Sequence, residues 1–175
     1  MDLTTDCGGP IKACPSDPEF LIRRADPADH RRIISVMIDW WGRRDLRQSV
    51  PRLFLEHFCN TSFIAEKDRE MAGFLIAFFS PAHDREGYIH FVGVHPNWRK
   101  QGLGRILYER FFKLCRQEGR TTVRSCTSPV NKESVAFHTR MGFLVGPGDG
   151  VVEGVPVTLD YNRPGDHKVL FIKHL

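Results

Sequence analysis

Apolar residues recur along the chain in two patterns, and their alternation predicts a fold that mixes strands with helices. Apolar runs at 72–79 and 88–94 are typical of buried strands. After the second run, apolar side chains recur three and four positions apart, which predicts a helix with one buried face. These helical positions are Leu103, Ile106, Leu107, Phe111, Leu114 and Cys115.

The remaining segments continue this alternation. Helix-type spacing at Ile33, Ile34, Met37 and Ile38 predicts a first helix that starts at Asp26 and Pro27. A strand, a helix and a further strand in succession imply a crossover between two neighbouring parallel strands. We therefore expect one α/β domain over residues 20–175, preceded by a loose arm over residues 1–19. Other strands are predicted at 20–24, 63–66, 121–126, 155–159 and 168–173, and other helices at 51–60 and 132–140. The charged turn at 67–70 predicts a hairpin of the strands on either side of it, and Asn131 is the predicted N-cap of the 132–140 helix.

Composition narrows the class of protein without naming it. The 175 residues carry a formal net charge of +4, which is too small by itself to indicate nucleic-acid binding. No apolar run approaches the about 18 residues that a membrane span needs, and Met1–Ser16 lacks the apolar core of a secretory signal. We expect a cytoplasmic protein. Its five cysteines form no Cys-x-x-Cys pair, so we expect reduced thiols and no metal site.

The segment between the 88–94 strand and the next helix carries the most informative motif, Arg99-Lys100-Gln101-Gly102-Leu103-Gly104-Arg105. Glycines let the backbone approach a ligand closely, and the first N–H groups of a helix favour an anion. We expect these seven residues, named here the glycine loop, to bind a phosphate group. Leu107 replaces the third glycine of a dinucleotide fingerprint, and Gly104 is not followed by the Lys-Ser/Thr of a Walker loop.

Arg99-x-x-Gly102-x-Gly104 resembles the pyrophosphate-binding motif of the GNAT superfamily of N-acetyltransferases. A Val-x-Pro precedes it, and Asn131-x-x-Ser134-x-x-Phe137-His138-x-x-x-Gly142-Phe143 resembles the family's second motif. The resemblance covers about residues 20–143. It implies a single-domain, GNAT-like acyl-CoA N-acyltransferase fold of the α/β (α+β) class, with a mixed central sheet flanked by helices on both faces.

The resemblance also implies which residues bind the two substrates. In this family the glycine loop holds the diphosphate of acetyl-CoA, and the preceding strand pairs with the pantetheine arm. The segment after the first helix lines the acceptor cleft, which points to Asp39, Trp40 and Trp41. One of the two tryptophans is alternatively a core residue, and Arg43, Arg44 and Arg47 either favour an acidic acceptor or form a solvated face. The residues implied to contact acetyl-CoA are the seven of the glycine loop together with Phe91, Val92, Gly93, Val94, Asn131 and His138.

Two histidines stand where the family usually places its catalytic acid and base. His138 matches the position of a tyrosine that protonates the leaving thiolate, a role that imidazole can fill. His90 lies six residues before Pro96, where a glutamate often acts as general base. Each histidine has a structural alternative, as a helix residue that packs against coenzyme A or as a core residue with a hydrogen-bonded neighbour. Glu86 and Asp39 are the rival bases.

The hypothesis is an N-acetyltransferase that moves an acetyl group from acetyl-CoA to the amine of a small-molecule acceptor by direct attack on the thioester. The alternatives are an N-acetyltransferase for proteins or peptides and a non-catalytic acyl-CoA-binding module. We expect acetyl-CoA and an amine acceptor as partners, without nucleic acid, membrane or metal. A homodimer stays open.

Overall fold

A computed structural model describes residues 20–42 and 44–175, so the predicted arm over 1–19 and Arg43 lie outside the described residues. Strands and helices alternate along the described chain. The strands are β1 (Leu21–Arg24), β2 (Phe63–Lys67), β3 (Glu70–Phe79), β4 (Glu86–Val94), β5 (Thr122–Thr127), β6 (Leu144–Val145), β7 (Gly150–Val152), β8 (Val155–Val157) and β9 (Val169–His174). The helices are α1 (Asp29–Trp40), α2 (Leu53–His57), α3 (Leu103–Gln117) and α4 (Lys132–Arg140).

Seven strands are hydrogen-bonded in the order β1-β2-β3-β4-β5-β9-β6, and β7 pairs with β8 in a separate ribbon. The strand β5 follows α3 in the chain and is a neighbour of β4, as the predicted crossover requires. The predicted α/β class is confirmed. The chain divides into two compact units, one with the residues up to Phe78 and Ile89–Leu114, the other with Phe79–Tyr88 and Cys115–Leu175.

One core cluster of the first unit is formed by α1, α2, β2 and β3. It includes Ile33 and Met37 on α1, Leu55 on α2 and Phe74 on β3, each without exposed surface. Phe111 on α3 is likewise fully buried. The strands β2 and β3 form an antiparallel hairpin, and its turn residues Asp68 and Arg69 both have positive φ, at 52° and 67°. Such a pair of left-handed residues is typical of a tight hairpin turn, which confirms the hairpin predicted here.

The first helix begins at Asp29, later than the predicted start at Asp26. Asp26 accepts a hydrogen bond from the Ala28 N–H at 2.8 Å, which closes a turn ahead of the helix. The Asp29 side chain is buried, and the Arg23 guanidinium contacts both of its carboxylate oxygens, at 2.7 and 2.8 Å. Although burial opposes ionisation, this guanidinium holds the pKa of Asp29 below its ordinary value.

The second helix is also shorter than the predicted span of 51–60. It ends at His57, and a separate 3-10 turn, Cys59–Thr61, follows it. The Thr61 hydroxyl donates to the Ala77 carbonyl at 2.6 Å, so this turn is tied to β3 and does not extend the helix. The missed strands β6 and β7 have only two and three residues, too few to show a period.

The second unit contains β5, β9 and β6, which pair antiparallel, and helix α4. Asn131 caps α4 as predicted, since its side-chain oxygen accepts from the Ser134 N–H at 3.3 Å. The helix ends before Gly142, whose φ of +79° is one that glycine adopts without strain. The core of this unit includes Val123, Phe143, Val169 and Phe171.

Candidate active site

The glycine loop joins the end of β4 to the start of α3. Lys100 and Gly102 have φ of 63° and 85°, so the chain turns through the left-handed region twice within three residues. A Cβ on Gly102 would meet nothing within 4 Å, and glycine is therefore required there for its backbone angle. The first N–H groups of a helix have no partner inside it, and such an end favours an anion, so the binding of a phosphate at the start of α3 stays a prediction.

The approach to the glycine loop is held by its own side chains. The His95 Nδ1 accepts from the Asn97 N–H at 3.1 Å, and the Gln101 side chain donates to the Asn97 carbonyl at 3.0 Å. The Trp98 ring meets Phe20 edge-on at 6.0 Å, and the Lys67 ammonium lies 4.3 Å from the Trp98 ring centre. These contacts pre-form the loop, so less ordering is required when a ligand binds.

Arg99 directs its guanidinium at backbone carbonyls. Its Nε donates to the Val94 carbonyl at 3.2 Å, and its Nη2 donates to the carbonyl of Trp40, the last residue of α1. The sequence predicted Arg99 as a ligand of the coenzyme A diphosphate, and that role stays a prediction. These contacts assign its side chain at least a second task, which is to fix the start of the glycine loop.

The two adjacent tryptophans have different environments. Trp40 is only 4% exposed and packs against Phe74 and His95, so it is a core residue. Trp41 is half-buried, and its ring centre lies 5.3 Å from that of Phe91 on β4. Of the residues predicted to bind the acceptor, Trp41 and the exposed Asp39 therefore offer surface to a ligand.

Gly93 on β4 lies directly beneath two aromatic rings. A Cβ built there would lie 2.5 Å from Phe74 and 2.6 Å from Trp41, closer than any side chain tolerates. The glycine is thus required because the rings occupy the volume of its missing side chain. Trp41 consequently covers the part of β4 that the resemblance assigns to the pantetheine arm.

The His90 ring on β4 is fixed by a hydrogen bond at one of its nitrogens and by stacking on one of its faces. Its Nε2 lies 2.7 Å from the Ser49 carbonyl oxygen, and its ring stacks on Phe54 with centres 4.1 Å apart and planes 10° apart. A carbonyl oxygen only accepts, so Nε2 carries the hydrogen and Nδ1 keeps the lone pair. Burial lowers the pKa of His90 below its ordinary value, against the Ser49 hydrogen bond, which leaves the ring neutral at pH 7.

The second unit carries the other predicted residues, Glu86, Asn131 and His138. Glu86 is paired with Arg124, whose Nε lies 2.8 Å from its carboxylate. Asn131 uses its side-chain oxygen as the cap of α4. The roles of these two residues toward the substrates stay predictions.

His138 is almost fully enclosed, at 3% exposure. Its Nδ1 lies 2.8 Å from the Ser134 carbonyl oxygen one helical turn earlier, and its ring is stacked on Phe171 with centres 4.3 Å apart. Nδ1 therefore carries the hydrogen, and burial lowers the pKa of His138 so that the neutral ring prevails. These contacts make His138 a core residue of the second unit. Its roles as proton donor and as a contact of coenzyme A both stay predictions.

Sequence reasoning missed the partners that orient these side chains. Ser49 and Phe54 lie 41 and 36 positions before His90, and no local pattern links them to it. It also missed Tyr88, whose hydroxyl donates to the Cys126 sulfur at 3.3 Å. Burial raises the pKa of that tyrosine above its ordinary value.

Within the described residues, no group of three acidic, histidine or cysteine side chains could hold a metal ion, and no helix has the length and apolarity to cross a membrane.

The chain belongs to the acetyltransferase (GNAT) family, whose sequence model matches residues 27–143. That match spans the glycine loop and the Asn131–Phe143 motif, and it confirms the family predicted from the resemblance. The structure of yncA from Salmonella typhimurium with its cofactor acetyl-CoA has the same fold, with a TM-score of 0.62 and 20% identity over 90% of this chain and 94% of that one.

Two curated relatives are more similar in sequence. An uncharacterized N-acetyltransferase, ycf52, of Gracilaria tenuistipitata var. liui is 31% identical over 63% of this chain and 58% of its own. An L-2,4-diaminobutyric acid acetyltransferase of Nocardia farcinica is 29% identical over 49% of this chain and 44% of its own. The matched segments thus span about half the length of these relatives.

Proposed function

We propose that this protein transfers the acetyl group of acetyl-CoA to the amine of a small-molecule acceptor. The observation that carries the proposal is the glycine loop. It turns twice through the left-handed region and leads directly into α3, within the segment that matches the acetyltransferase family. The loop suits a diphosphate, because backbone N–H groups and the positive end of a helix dipole converge there.

The family resemblance suggests the residues that bind the cofactor. The glycine loop binds the diphosphate, chiefly through backbone N–H groups, with Lys100 and Arg105 adding positive charge. The end of β4, Phe91–Val94, lies along the pantetheine arm, and a backbone N–H near Val92 polarises the thioester carbonyl. Asn131 contributes from the start of α4.

His90 is the proposed general base. An alkyl ammonium ion must lose a proton before its nitrogen attacks the thioester carbonyl carbon, and the lone pair on His90 Nδ1 accepts it. The new C–N bond forms, the carbon–sulfur bond breaks, and the electron pair leaves with sulfur. A free thiol has a pKa near about 8.5, so solvent protonates most of the released thiolate at pH 7. His138 is then not required as the acid, in agreement with its enclosed position.

A small acceptor is favoured by the surroundings of Trp41. Its ring rests on Gly93 and contacts Phe91, so aromatic surface borders β4 on this side and limits the room for an extended chain. The Nocardia farcinica relative, named for a diamino acid, suggests amino-acid-like amines as first candidates. A peptide amine is the second candidate, because the exposed Asp39 adjoins the same segment.

We also propose a cytoplasmic location for this activity. Cys59, Cys115 and Cys126 are reduced thiols within the described residues, and burial raises the pKa of Cys115 to about 12. Thiols persist in a reducing compartment. The proposal does not depend on the oligomeric state, which analytical ultracentrifugation would measure directly.

The experiment is a panel of amines incubated with acetyl-CoA while free thiol is measured. It includes 2,4-diaminobutyrate, other small diamines and short peptides with different N-terminal residues. We expect amine-dependent thiol release, fastest with a small amine. Faster turnover of peptides would favour the second candidate. Acetyl-CoA binding by calorimetry without release for any amine would identify a binding module and refute the proposal.

A further inference from the structure

The C-terminal end of α1 receives positive charge from Arg44, whose Nε donates to the carbonyl of the C-cap residue Trp41 at 3.4 Å, and also from a distant part of the chain. The last turn of α1 contains no basic residue of its own. Arg99 lies 59 positions after Trp40 and donates from its guanidinium to the Trp40 carbonyl. The last carbonyls of a helix have no donor within the helix and form the negative end of its dipole, so a guanidinium there is favourable.

The same guanidinium fixes the entrance of the glycine loop. Its Nε donates to the Val94 carbonyl at the end of β4, and the Arg99 N–H donates to the Pro96 carbonyl at 3.3 Å. The next residue, Lys100, already has a left-handed backbone. The side chain of the first loop residue therefore joins the end of α1 to the end of β4.

The position of Trp41 depends on this junction. It directly follows Trp40, and its indole rests on Gly93 with no space between ring and strand. The Trp41 carbonyl also accepts from the Arg44 N–H at 3.3 Å, so the chain leaves α1 through a turn at this point. If the Trp40 carbonyl lost its partner, the end of α1 would fray and the Trp41 ring would shift along β4.

We infer that Arg99 is a positioning residue that couples the glycine loop to the Trp41 segment, and so sets the affinity for the acceptor without touching it. Coupling between two sites is reciprocal, so any change that acetyl-CoA in the loop makes in the acceptor affinity equals the change that the acceptor makes in the acetyl-CoA affinity. The kinetic part of this inference rests on the proposed function. The structural part, which is order at the end of α1, does not.

The kinetic test compares Arg99→Met and Arg99→Lys with Lys100→Met, which removes the neighbouring charge of the same loop. At saturating acetyl-CoA we expect Arg99→Met to raise the acceptor KM by at least about fivefold. Arg99→Lys should give a smaller increase, because an ammonium keeps the charge but lacks the planar fork that reaches two carbonyls. Lys100→Met should weaken acetyl-CoA binding and leave the acceptor KM unchanged. If Arg99→Met changes only the acetyl-CoA affinity, as Lys100→Met does, the inference is wrong.

A second measurement needs no turnover. Backbone amide exchange over residues 36–42, followed by mass spectrometry without ligand, should be about two to five times faster in Arg99→Met, the range that a charge at a helix C-terminus gives. Arg116→Met, which removes an exposed charge in the last turn of α3, is the matched control and should leave that segment unchanged. Equal exchange in wild type and Arg99→Met would overturn the inference. If no amine is acetylated by the wild type, the proposed function fails while this measurement still decides the role of Arg99.

Discussion

His90 in the first unit and His138 in the second share three features. Both stack on a phenylalanine, both place one ring nitrogen on a backbone carbonyl, and burial lowers the pKa of both. They differ in which nitrogen is used and in how far away the partner lies. His138 uses Nδ1 for a carbonyl one turn back on its own helix, whereas His90 uses Nε2 for a carbonyl 41 positions away.

The difference teaches how the surroundings suit one histidine to a packing role and the other to the chemical role proposed for it. The Nδ1 bond of His138 holds the ring along its own helix, against Phe171 and Phe143, where it fills the core. The Nε2 bond of His90 leaves the nitrogen nearer the backbone as the proton acceptor, on a side chain that keeps some exposed surface. A histidine with a fixed tautomer and some exposed surface, such as His90, suits a general base. A fully enclosed histidine, such as His138, suits a packing role in the core.

The largest effect should come from His90→Gln. Loss of a general base typically costs about 10²- to 10⁴-fold in rate, so we expect kcat/KM at pH 7 to fall by at least about a hundredfold. Activity should recover at high pH, where the amine is already neutral. The pH–rate profile measures both effects, and the acidic limb of kcat/KM should disappear in the variant.

The matched control for that variant is His30→Gln. The His30 Nε2 lies 3.0 Å from the carbonyl oxygen of Val50, the residue after Ser49, so both histidines hold the same stretch of chain. If both variants lose activity equally at every pH, the role of His90 is to hold this stretch. Glu86 and Asp39 would then be the bases to test.

The next largest effect should be on stability, from His138→Ala. Deleting a large ring from a core typically costs about 2–5 kcal/mol of unfolding free energy, and the stacking on Phe171 predicts a loss in this range. His138→Phe keeps the ring and should lose less than about 1.5 kcal/mol. Urea denaturation measures both, and thiol release should show kcat near the wild-type value for His138→Phe. A kcat that falls equally in both variants would restore His138 as the proton donor.

The smallest effect should be the pH dependence of stability. The folded-state pKa of His138 lies below its unfolded value near about 6.5, so the unfolded chain binds the proton more tightly. Its contribution is therefore complete above that pH and is lost as the pH falls through it. The wild type should lose more unfolding free energy between pH 7 and pH 5 than His138→Phe does, as followed by urea titrations. Parallel curves would show that His138 is not the group responsible.

Sequence alone predicted the features that depend on near neighbours. The glycine loop, the Asn131 cap and the β2–β3 hairpin are each defined within a few residues, and the structure contains the turns and caps expected of them. The contacts that orient the side chains of the candidate site connect distant positions. Arg99 meets Trp40 across 59 positions, and no periodicity or motif encodes such a pairing. The same limit explains why the sequence points to both Trp40 and Trp41 as acceptor residues, although Trp40 is buried and Trp41 is half-buried.

The close fit between Gly93 and the rings above it also constrains how this sequence can change over generations. Any larger residue at position 93 collides with both Trp41 and Phe74, so such a change is blocked while those two rings are in place. Smaller residues must first replace Trp41 and Phe74. Each replacement would leave a cavity until a larger side chain at position 93 filled it. The three positions are therefore expected to vary together among descendants of this chain, and the order of the changes is fixed by the available volume.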